Sequence, residues 1–498
     1  MSSLRRDAGS WPDVGLLILY FALRLHRVGN FPVFIDEAFH IRWARDVWSL
    51  SPFGSADEGK ALIAWLLAPF WPFHDALWLS RTAVILVTVL GLAGLIGLGR
   101  NLMNRQIGRA AALVAVFLPY PFFFDRLALA DSVAASAGLC TAFVVVRAIR
   151  DRRHSTAALG GVLLLLALLT KLSMIVVLAV PVLAVMLLSP ITEWRKSLPL
   201  MITIYGVCSM LAAPLLAVAW GHTDFGLHHT RTNFFSTDLV GLPGRILGNV
   251  QTFVAWMNIY IGWPLLVLSG AGSLIALIRR DGRAVFVVSL ALLPTIEFWM
   301  ISTYILPRFY LLGVGAGLLL AAYAAVYIYS ALSKWNLLPQ RILGAGAIIC
   351  FAAIIAPMAR FILIAYSSPE HLPLVGLDHQ DYIAGSTSGF GLIEAARRLQ
   401  TIGSTGTTTV ICSDRITCDR LSVYVDNNRV NFERTDILTP RWVDDQDQAG
   451  NLVLLAEDNP PIVSSFEPGT EYRLVLLQTY TRPGGKSSLD LYQIRAQH

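Results

Sequence analysis

The chain has 498 residues, of which 55% are hydrophobic and only 14% are charged. Soluble proteins carry about 25% charged residues, and the apolar residues here lie in long blocks, so the composition excludes a soluble globular protein and indicates a polytopic membrane protein. The formal charge of +6 does not indicate nucleic-acid binding, because the basic residues cluster in short turns between apolar blocks, as in cytoplasmic loops.

Apolar segments recur along the chain at about the 17–25 residues that a bilayer requires. The first has no small-residue cleavage site after it, and we interpret it as a retained signal anchor. We predict about eleven membrane-spanning helices, of which the fifth and sixth nearly touch at Lys171. They lie near 12–29, 77–99, 108–124, 128–147, 156–171, 173–189, 198–220, 252–277, 284–303, 309–330 and 342–366.

Basic clusters in six separate connections predict the orientation of the chain. With eleven spans, all six lie on one side of the membrane, which the positive-inside rule makes the cytoplasmic side. The N-terminus is then cytoplasmic, and the loops at 30–76 and 221–251 and everything after 366 are extracytoplasmic, at a plasma or inner membrane. The clusters are Arg5 and Arg6; Arg100, Arg105 and Arg109; Arg147, Arg150, Arg152 and Arg153; Arg195 and Lys196; Arg279, Arg280 and Arg283; Lys334 and Arg341.

The first outer loop, 30–76, carries Asp36, Glu37, His40 and Lys60 among several aromatic residues. If the chain is helical after Asp36, then Asp36 and His40 lie on one face, four residues apart, with Glu37 beside them. A pair of carboxylates at a membrane boundary is costly and is therefore a functional-site hypothesis. The alternative is a solvated loop that carries two acids. The density of charged and aromatic residues favours a substrate-facing loop.

Two further groups of charges follow at the predicted outer ends of spans. Arg126 lies between the third and fourth spans, and Asp131 already lies inside an apolar run, so we expect it to face the bundle interior. Lys171 stands alone between two apolar spans. It is either a functional residue or a lysine that extends from a helix end to the interface.

Arg308 and Tyr310 open the tenth span. Arginine at such a position can hold a phosphate through two parallel hydrogen bonds, whereas the alternative is an interfacial anchor. The outer loop at 221–251 contains three histidines and an aspartate, but their spacing matches no metal motif, and a solvated loop is favoured. These are His222, Asp224, His228 and His229.

The composition becomes polar after Tyr366, which predicts a small α/β domain over 367–498, after a membrane domain over 1–366. Cys412 and Cys418 both lie in this part, and in an oxidising compartment they are candidates for a disulfide. The predicted elements are a helix at Gly391–Gln400 and strands at Thr407–Ser413, Leu421–Val425, Val430–Arg434, Leu452–Ala456, Arg473–Thr479 and Leu489–Ile494.

Short motifs at the predicted outer ends of the spans occur in a recognisable order. They are Arg24-Leu25-x-x-x-Gly29-x-x-Pro32 before Asp36-Glu37-Ala38; Gly59-Lys60 before an apolar helix; Arg126-Leu127-Ala128-Leu129-Ala130-Asp131; Pro307-Arg308-Phe309-Tyr310; and Asp381-Tyr382-Ile383-x-Gly385-x-x-x-Gly389-Phe390-Gly391-Leu392. This layout resembles the GT-C superfamily of membrane glycosyltransferases, in particular the dolichyl-phosphate-mannose protein mannosyltransferases (glycosyltransferase family 39) and the bacterial aminoarabinose transferases. The chain departs from the usual pattern in lacking prolines after Lys60 and in having alanine where a proline is common before Asp131.

The resemblance implies a GT-C-like all-α membrane bundle with the external α/β domain, and an inverting hexosyl or pentosyl transfer from a polyprenyl-phosphate-sugar donor. The acceptor would be a protein, a lipid or a cell-surface glycan. Asp36 is then expected to be the general base, and Glu37 to support it or bind the acceptor. Some relatives use a divalent cation such as Mg or Mn, but these residues form no clear ligand set. The expected substrate-binding residues are Glu37, His40, Lys60, Arg126, Asp131, Lys171, Arg308 and Tyr310.

Within that set, Lys60, Arg308 and Lys171 would bind the lipid phosphate, while Asp131 and Arg126 would shape the sugar pocket or orient the base. Two other functions remain open. A transporter or flippase of a polyprenyl-linked glycan would also need buried charges, but it predicts broken spans in matching halves of the chain. A membrane scaffold with a partner-binding external domain would not need acids at the outer ends of separate spans.

Overall fold

The computed structural model describes residues 10–219, 228, 236, 238, 240–303, 305–334, 339–402, 408–412, 415–425, 430–433, 451–457 and 472–496. The chain divides into two compact units. The first unit comprises residues 1–28, 46–66 and 81–367, and the second comprises 29–45, 67–80 and 368–498. Two pieces of the predicted outer loop therefore belong to the same unit as the C-terminal part.

The described residues are mainly helical. In chain order the helices are α1 (Trp11–Leu25), α2 (Ile35–Trp48), α3 (Ala61–Leu67), α4 (Ala76–Leu102), α5 (Arg105–Phe117), α6 (Pro119–Asp125), α7 (Ala130–Asp151), α8 (His154–Thr170), α9 (Ala179–Leu188), α10 (Trp194–Ala219), α11 (Leu242–Tyr260), α12 (Trp263–Ile278), α13 (Gly282–Ile301), α14 (Leu311–Lys334), α15 (Gln340–Ser367), α16 (Gly376–His379), α17 (Leu392–Ile402) and α18 (Arg415–Leu421). Short 3₁₀ turns include Ala56–Glu58, Leu172–Leu178, Pro307–Tyr310 and Pro369–His371.

Six of the described helices are long and apolar enough to cross a bilayer, namely α4, α7, α10, α13, α14 and α15, and the bent pair α5–α6 makes a seventh. Each corresponds to a predicted span, because a long uninterrupted apolar run can satisfy its backbone in lipid only as a helix. The chain is therefore a multi-pass membrane protein. The helices α8 and α12 are shorter, as is the apolar stretch Leu172–Leu188, and the total of about eleven spans stays a prediction.

The span predicted at 252–277 is wrong as a single helix. α11 ends at Tyr260 and α12 begins at Trp263. Gly262 between them adopts a left-handed φ of 84°, which glycine tolerates without the steric cost of a side chain. Pro264, in the first turn of α12, has no N–H that could donate to a carbonyl of α11. The proline therefore favours the start of a new helix over the continuation of α11.

The second unit contains a five-stranded sheet with the order β2-β1-β3-β5-β4. β1 pairs in parallel with β2 and β3, while β5 pairs antiparallel with β3 and β4. Val410 contributes to the large core cluster of this unit and Ile411 to the smaller one, as the alternation of a strand requires. The strands are β1 (Thr408–Cys412), β2 (Val430–Glu433), β3 (Asn451–Glu457), β4 (Tyr472–Thr481) and β5 (Ser488–Ala496).

Most predicted elements of this unit are confirmed, including the helix near 391–400 and five of the six strands. The strand predicted at Leu421–Val425 is wrong. The chain there leaves α18 and turns, because the N–H groups of Val423 and Tyr424 donate to the nearby carbonyls of Arg420 and Leu421 at 3.3 and 3.0 Å and not to a neighbouring strand. Cys412 and Cys418 form a disulfide with 5.6 Å between their Cα atoms.

Candidate functional site

A cluster of ionisable side chains surrounds Asp131 in the first unit. Asp131 lies in the first turn of α7 and is buried. The Lys171 Nζ donates a hydrogen bond to Asp131 Oδ1 at 2.5 Å, and the Arg308 Nε lies 3.5 Å from the other carboxylate oxygen. Lys60 is close enough to interact with the charges of both Asp131 and Lys171. Among the residues that the structure describes, three cations surround one carboxylate here, so that this cluster of described side chains carries excess positive charge.

Breaks in helical structure place Lys171 in this cluster. α8 ends at Thr170, Lys171 itself is extended, and a 3₁₀ turn starts at Leu172. The Lys171 ammonium also lies 4.0 Å from the centre of the Phe309 ring, a favourable contact for a desolvated cation. The Lys171 side chain therefore pairs within the protein, and its expected role in substrate binding stays a prediction.

The turn Pro307–Tyr310 supplies both Arg308 and the Phe309 ring. Its position is fixed by Tyr120, whose buried hydroxyl donates to the Pro307 carbonyl. Phe309 stacks on Phe298 of α13 with 4.8 Å between ring centres. The motif at the start of the tenth predicted span therefore forms one compact turn that delivers a cation to Asp131.

Lys60 follows a tight turn that requires glycine. Gly59 ends the 3₁₀ turn Ala56–Glu58 with a left-handed φ of 67°, and α3 begins directly after Lys60. The Lys60 N–H donates to the Ser55 carbonyl at 3.2 Å. Gly59 thus allows the turn that places Lys60 immediately before the short apolar helix α3.

Glu297 is a further member of this region that the sequence analysis missed. It lies in α13, its Oε2 atom is buried without a hydrogen-bond partner among the described residues, and its charge interacts with that of Lys171. The signal that could have found it is an isolated acid within an apolar span, since intramembrane ionisable residues are functional candidates by default. With Glu297 ionised, the cluster still carries one excess positive charge.

Arg126 caps the end of α1. Its Nη2 donates to the carbonyl oxygens of His26 and Arg27 at 3.0 and 2.8 Å. The guanidinium also lies about 5 Å from the ring centres of Phe122 and Tyr366. These carbonyls would otherwise be among the unsatisfied groups at a helix C-terminus. Arg126 therefore links the connection between the third and fourth predicted spans to the end of α1. Its expected contact with substrate stays a prediction.

Arg24 of α1 stabilises the bend between α5 and α6. The two helices meet at 64°, and Pro119 cannot donate to the Ala115 carbonyl. The fully buried Arg24 donates to the carbonyls of Ala115 and Val116 at 3.1 and 3.2 Å, and its Nε contacts Asp125 at 3.1 Å. This network supports the backbone that leads into Asp131.

In the second unit, Asp36 and Glu37 occupy the first turn of α2 but have different environments. Glu37 is fully buried, and its Oε2 accepts a hydrogen bond from the Phe34 N–H at 3.0 Å, which is the backward half of a capping box. Asp36 is only partly buried. His40, one turn on, is buried with its ring 5.4 Å from that of Trp43. Of these two carboxylates, Asp36 is therefore the more accessible.

The C-terminal part of the second unit holds this acidic segment in place. The Tyr424 hydroxyl accepts a hydrogen bond from the Val33 N–H at 2.6 Å, and Arg42 of α2 pairs with Asp419 of α18 at 2.6 Å. Gly389 lies directly against Val33, so that a Cβ at position 389 would lie 2.1 Å from the Val33 oxygen. Gly389, which belongs to the motif that begins at Asp381, therefore packs directly against the segment that precedes Asp36 and Glu37.

The remaining predicted site residues are placed elsewhere or not described. Tyr310 is buried in an aromatic cluster, with its ring 4.7 Å from that of Phe253 and 5.7 Å from that of Phe298. In the predicted outer loop at 221–251, His222, Asp224 and His229 lie outside the described residues. Among the residues that the structure describes, no group of three or more His, Cys, Asp or Glu side chains is arranged to hold a metal ion.

No protein-family model matches the sequence, and no curated protein is similar to it at the sequence level. Solved structures show the fold instead. ArnT from Cupriavidus metallidurans bound to undecaprenyl phosphate is 14% identical, aligns over 98% of each chain and superposes with a TM-score of 0.59, and its apo structure gives 0.57. The oligosaccharyltransferase AglB from Archaeoglobus fulgidus, in complex with an inhibitory peptide and a dolichol-phosphate, is 12% identical over 90% of this chain and 70% of its own, with a TM-score of 0.53. The chain has the fold of these GT-C membrane glycosyltransferases.

Proposed function

We propose that the protein is an integral-membrane inverting glycosyltransferase that moves a sugar from a polyprenyl-phosphate donor to an acceptor on the outer face of the membrane. The observation that carries this proposal is the excess positive charge around Asp131 within the membrane unit, formed by Lys60, Lys171 and Arg308. A partly buried cluster with excess positive charge calls for an anion, and the similar folds were solved with polyprenyl phosphates bound.

The cations would bind the donor phosphate and stabilise it as the leaving group. When the bond between the anomeric carbon and the phosphate oxygen breaks, the electron pair stays on the phosphate, and fixed cations in a water-poor site stabilise that added charge. Arg308 suits a bidentate contact, whereas Lys60 and Lys171 act as point charges. Before the donor binds, the negative charge of Asp131 attracts both Lys171 and Arg308 and so offsets the repulsion between these two cations.

Asp36 would act as the general base. It accepts the proton from the acceptor hydroxyl while the hydroxyl oxygen forms the new bond to the anomeric carbon. One displacement from the face opposite the phosphate inverts the configuration at that carbon. Glu37 supports Asp36 indirectly, because its capping bond to Phe34 defines where α2 begins and therefore where Asp36 lies.

Polar residues in each unit are candidates to bind the sugar. Asp131 and Glu297 in the first unit, and His40 in the second, can form hydrogen bonds with sugar hydroxyls. Arg126 contributes by fixing the chain before Asp131, and Tyr310 by packing behind Arg308. The sugar is a hexose or a pentose. The described residues contain no group of three or more His, Cys, Asp or Glu side chains that could hold a Mg or Mn ion.

The extracytoplasmic side is supported by the disulfide in the second unit. Cys412 and Cys418 are bonded, and such bonds persist in oxidising compartments outside the cytoplasm. The basic connections place the N-terminus in the cytoplasm by the positive-inside rule. The acceptor is then a protein, a lipid or a glycan on the outer face of a plasma or inner membrane.

The proposal is tested with purified protein in nanodiscs and a panel of polyprenyl-phosphate sugars, following donor binding and sugar transfer. Arg308→Gln should weaken donor binding at least about 10-fold, since a lost charge-assisted hydrogen bond costs about 1.5–3 kcal/mol. Arg279→Gln, on an exposed connection, is the control and should bind as wild type does. Equal donor binding by Arg308→Gln and wild type would refute the phosphate site. Movement of the donor across the bilayer without transfer would favour the flippase.

A further inference from the structure

The second unit contains a cavity that the proposed reaction does not use. It has a volume of about 700 Å³ and lies between the residues that follow α15, the start of α17 and the hairpin between β4 and β5. We name it the hairpin pocket and define it by Glu370, His379, Phe390, Glu394, Tyr480 and Arg482. Its size falls within the range of pockets that bind small molecules.

The walls of the hairpin pocket are fixed by the fold. Gly391 has a left-handed φ of 90°, and a Cβ there would lie 3.0 Å from the Tyr480 Cβ, so the start of α17 and β4 approach closely only because residue 391 is glycine. Arg482 is buried, and its Nη1 donates to Ser487 Oγ at 2.5 Å across the hairpin turn. The cavity is therefore preformed, which lowers the entropic cost of binding.

The lining combines hydrogen-bond acceptors with aromatic rings. Glu394 is exposed at the start of α17, and Glu370 lies near His371, with 3.4 Å between its Oε1 and the His371 Nδ1. Phe390 and Tyr480 add apolar ring surface. Carboxylates accept hydrogen bonds from hydroxyl groups, and histidine can donate or accept. This pattern suits a ligand with many hydroxyl groups and one apolar face.

Other ligand classes fit less well. Two carboxylates in the lining, against a single arginine, disfavour an anion such as a phosphate. The charged lining also disfavours a lipid chain, since burying a charge against hydrocarbon is costly. The described residues contain no group of three His, Cys, Asp or Glu side chains arranged to bind a metal ion.

We propose that the hairpin pocket binds a neutral saccharide unit of the acceptor. The hydroxyl groups of the saccharide donate to Glu370 and Glu394, and its apolar face packs on Phe390 and Tyr480. The inference rests on the proposed function in calling this saccharide part of the acceptor. It narrows the acceptor from a protein, a lipid or a glycan to a molecule that carries a glycan.

The test is isothermal titration calorimetry of the full-length protein in nanodiscs, without donor. The probes are neutral trisaccharides of mannose, galactose and glucose, with trigalacturonate as the anionic counterpart. At least one neutral probe should bind, and trigalacturonate should bind more weakly. Glu394→Gln should weaken binding of the neutral probe up to about 10-fold, because the saccharide hydroxyl then donates to a neutral amide oxygen and not to a charged carboxylate.

Two variants keep the result interpretable. His379→Ala removes a second polar group of the lining and should also weaken binding, whereas Arg397→Gln lies exposed on α17 outside the pocket and should not change it. Thermal unfolding of each variant checks that it is folded. The inference is overturned if no neutral probe binds, if trigalacturonate binds more tightly, or if Glu394→Gln and His379→Ala bind as wild type does.

Sugar transfer measured on the same preparations separates this inference from the proposed function. Transfer without trisaccharide binding would overturn the hairpin pocket and leave the glycosyltransferase intact. Binding that depends on Glu394, in a protein that transfers no sugar from any donor, would support the pocket and refute the transferase.

Discussion

Gly389→Ala tests whether the C-terminal part of the second unit positions the acidic motif. The added Cβ would lie 2.1 Å from the Val33 carbonyl oxygen and 2.8 Å from the Val33 nitrogen. Side-chain carbons rarely approach an oxygen closer than about 3.2 Å, so the segment before Asp36 would have to move by about 1 Å. A displacement of this size can cost about 100-fold in rate, and overpacking costs about 1–3 kcal/mol in stability.

The assay compares sugar transfer, donor binding and thermal unfolding for Gly389→Ala and Gly376→Ala in nanodiscs. Gly376 starts α16, and no heavy atom lies within 4 Å of the position that a Cβ would take there, so alanine should be neutral. We expect Gly389→Ala to transfer about 100-fold more slowly and to bind donor normally, because the cations assigned to the donor lie elsewhere in the chain. Wild-type transfer by Gly389→Ala would refute the claim that this contact positions Asp36.

Three further predictions concern the groups around the site. Asp131→Asn and Lys171→Met should each destabilise the protein by about 3–5 kcal/mol, and the double variant should cost about 1–3 kcal/mol less than their sum, as measured by denaturation in mixed micelles; simple additivity would contradict the buried pair. Glu37→Ala should lose about 1 kcal/mol in the same assay and Glu37→Gln less, because glutamine can still accept from the Phe34 N–H; equal losses would argue against the capping box. Replacing Cys412 and Cys418 by serine opens a loop with a sequence separation of 6 and should lower stability by about 2 kcal/mol, measured by thermal unfolding; an unchanged unfolding temperature would contradict this.

Patterns that depend on local chemistry could be predicted from the sequence. The span predicted at 77–99 corresponds to Ala76–Leu102, because a long apolar run has one stable form in lipid. The strand at Thr407–Ser413 corresponds to Thr408–Cys412, where β-branched residues are frequent. The break at Gly262 was also encoded locally, by a glycine and a nearby proline, but the continuous hydrophobicity on both sides concealed it.

Contacts between distant segments could not be predicted. Nothing in the local sequence indicates that Val33 packs on Gly389, or that Arg126 caps α1 through the carbonyls of His26 and Arg27. The pairing of Lys171 with Asp131, 40 residues earlier in the chain, was not indicated by the local sequence either. A single sequence shows which residues can pair, whereas the fold decides which of them do.

The most direct test of the central claim is the rate of sugar transfer by Asp36→Asn, with Asp46→Asn as the matched control on the same helix. Membranes containing each variant are given radiolabelled polyprenyl-phosphate sugars and total cell-envelope acceptors. We predict that Asp36→Asn transfers sugar about 10²–10⁴-fold more slowly than wild type, with donor binding retained, while Asp46→Asn remains active. Equal transfer by wild type and Asp36→Asn would contradict the assignment of Asp36 as the base.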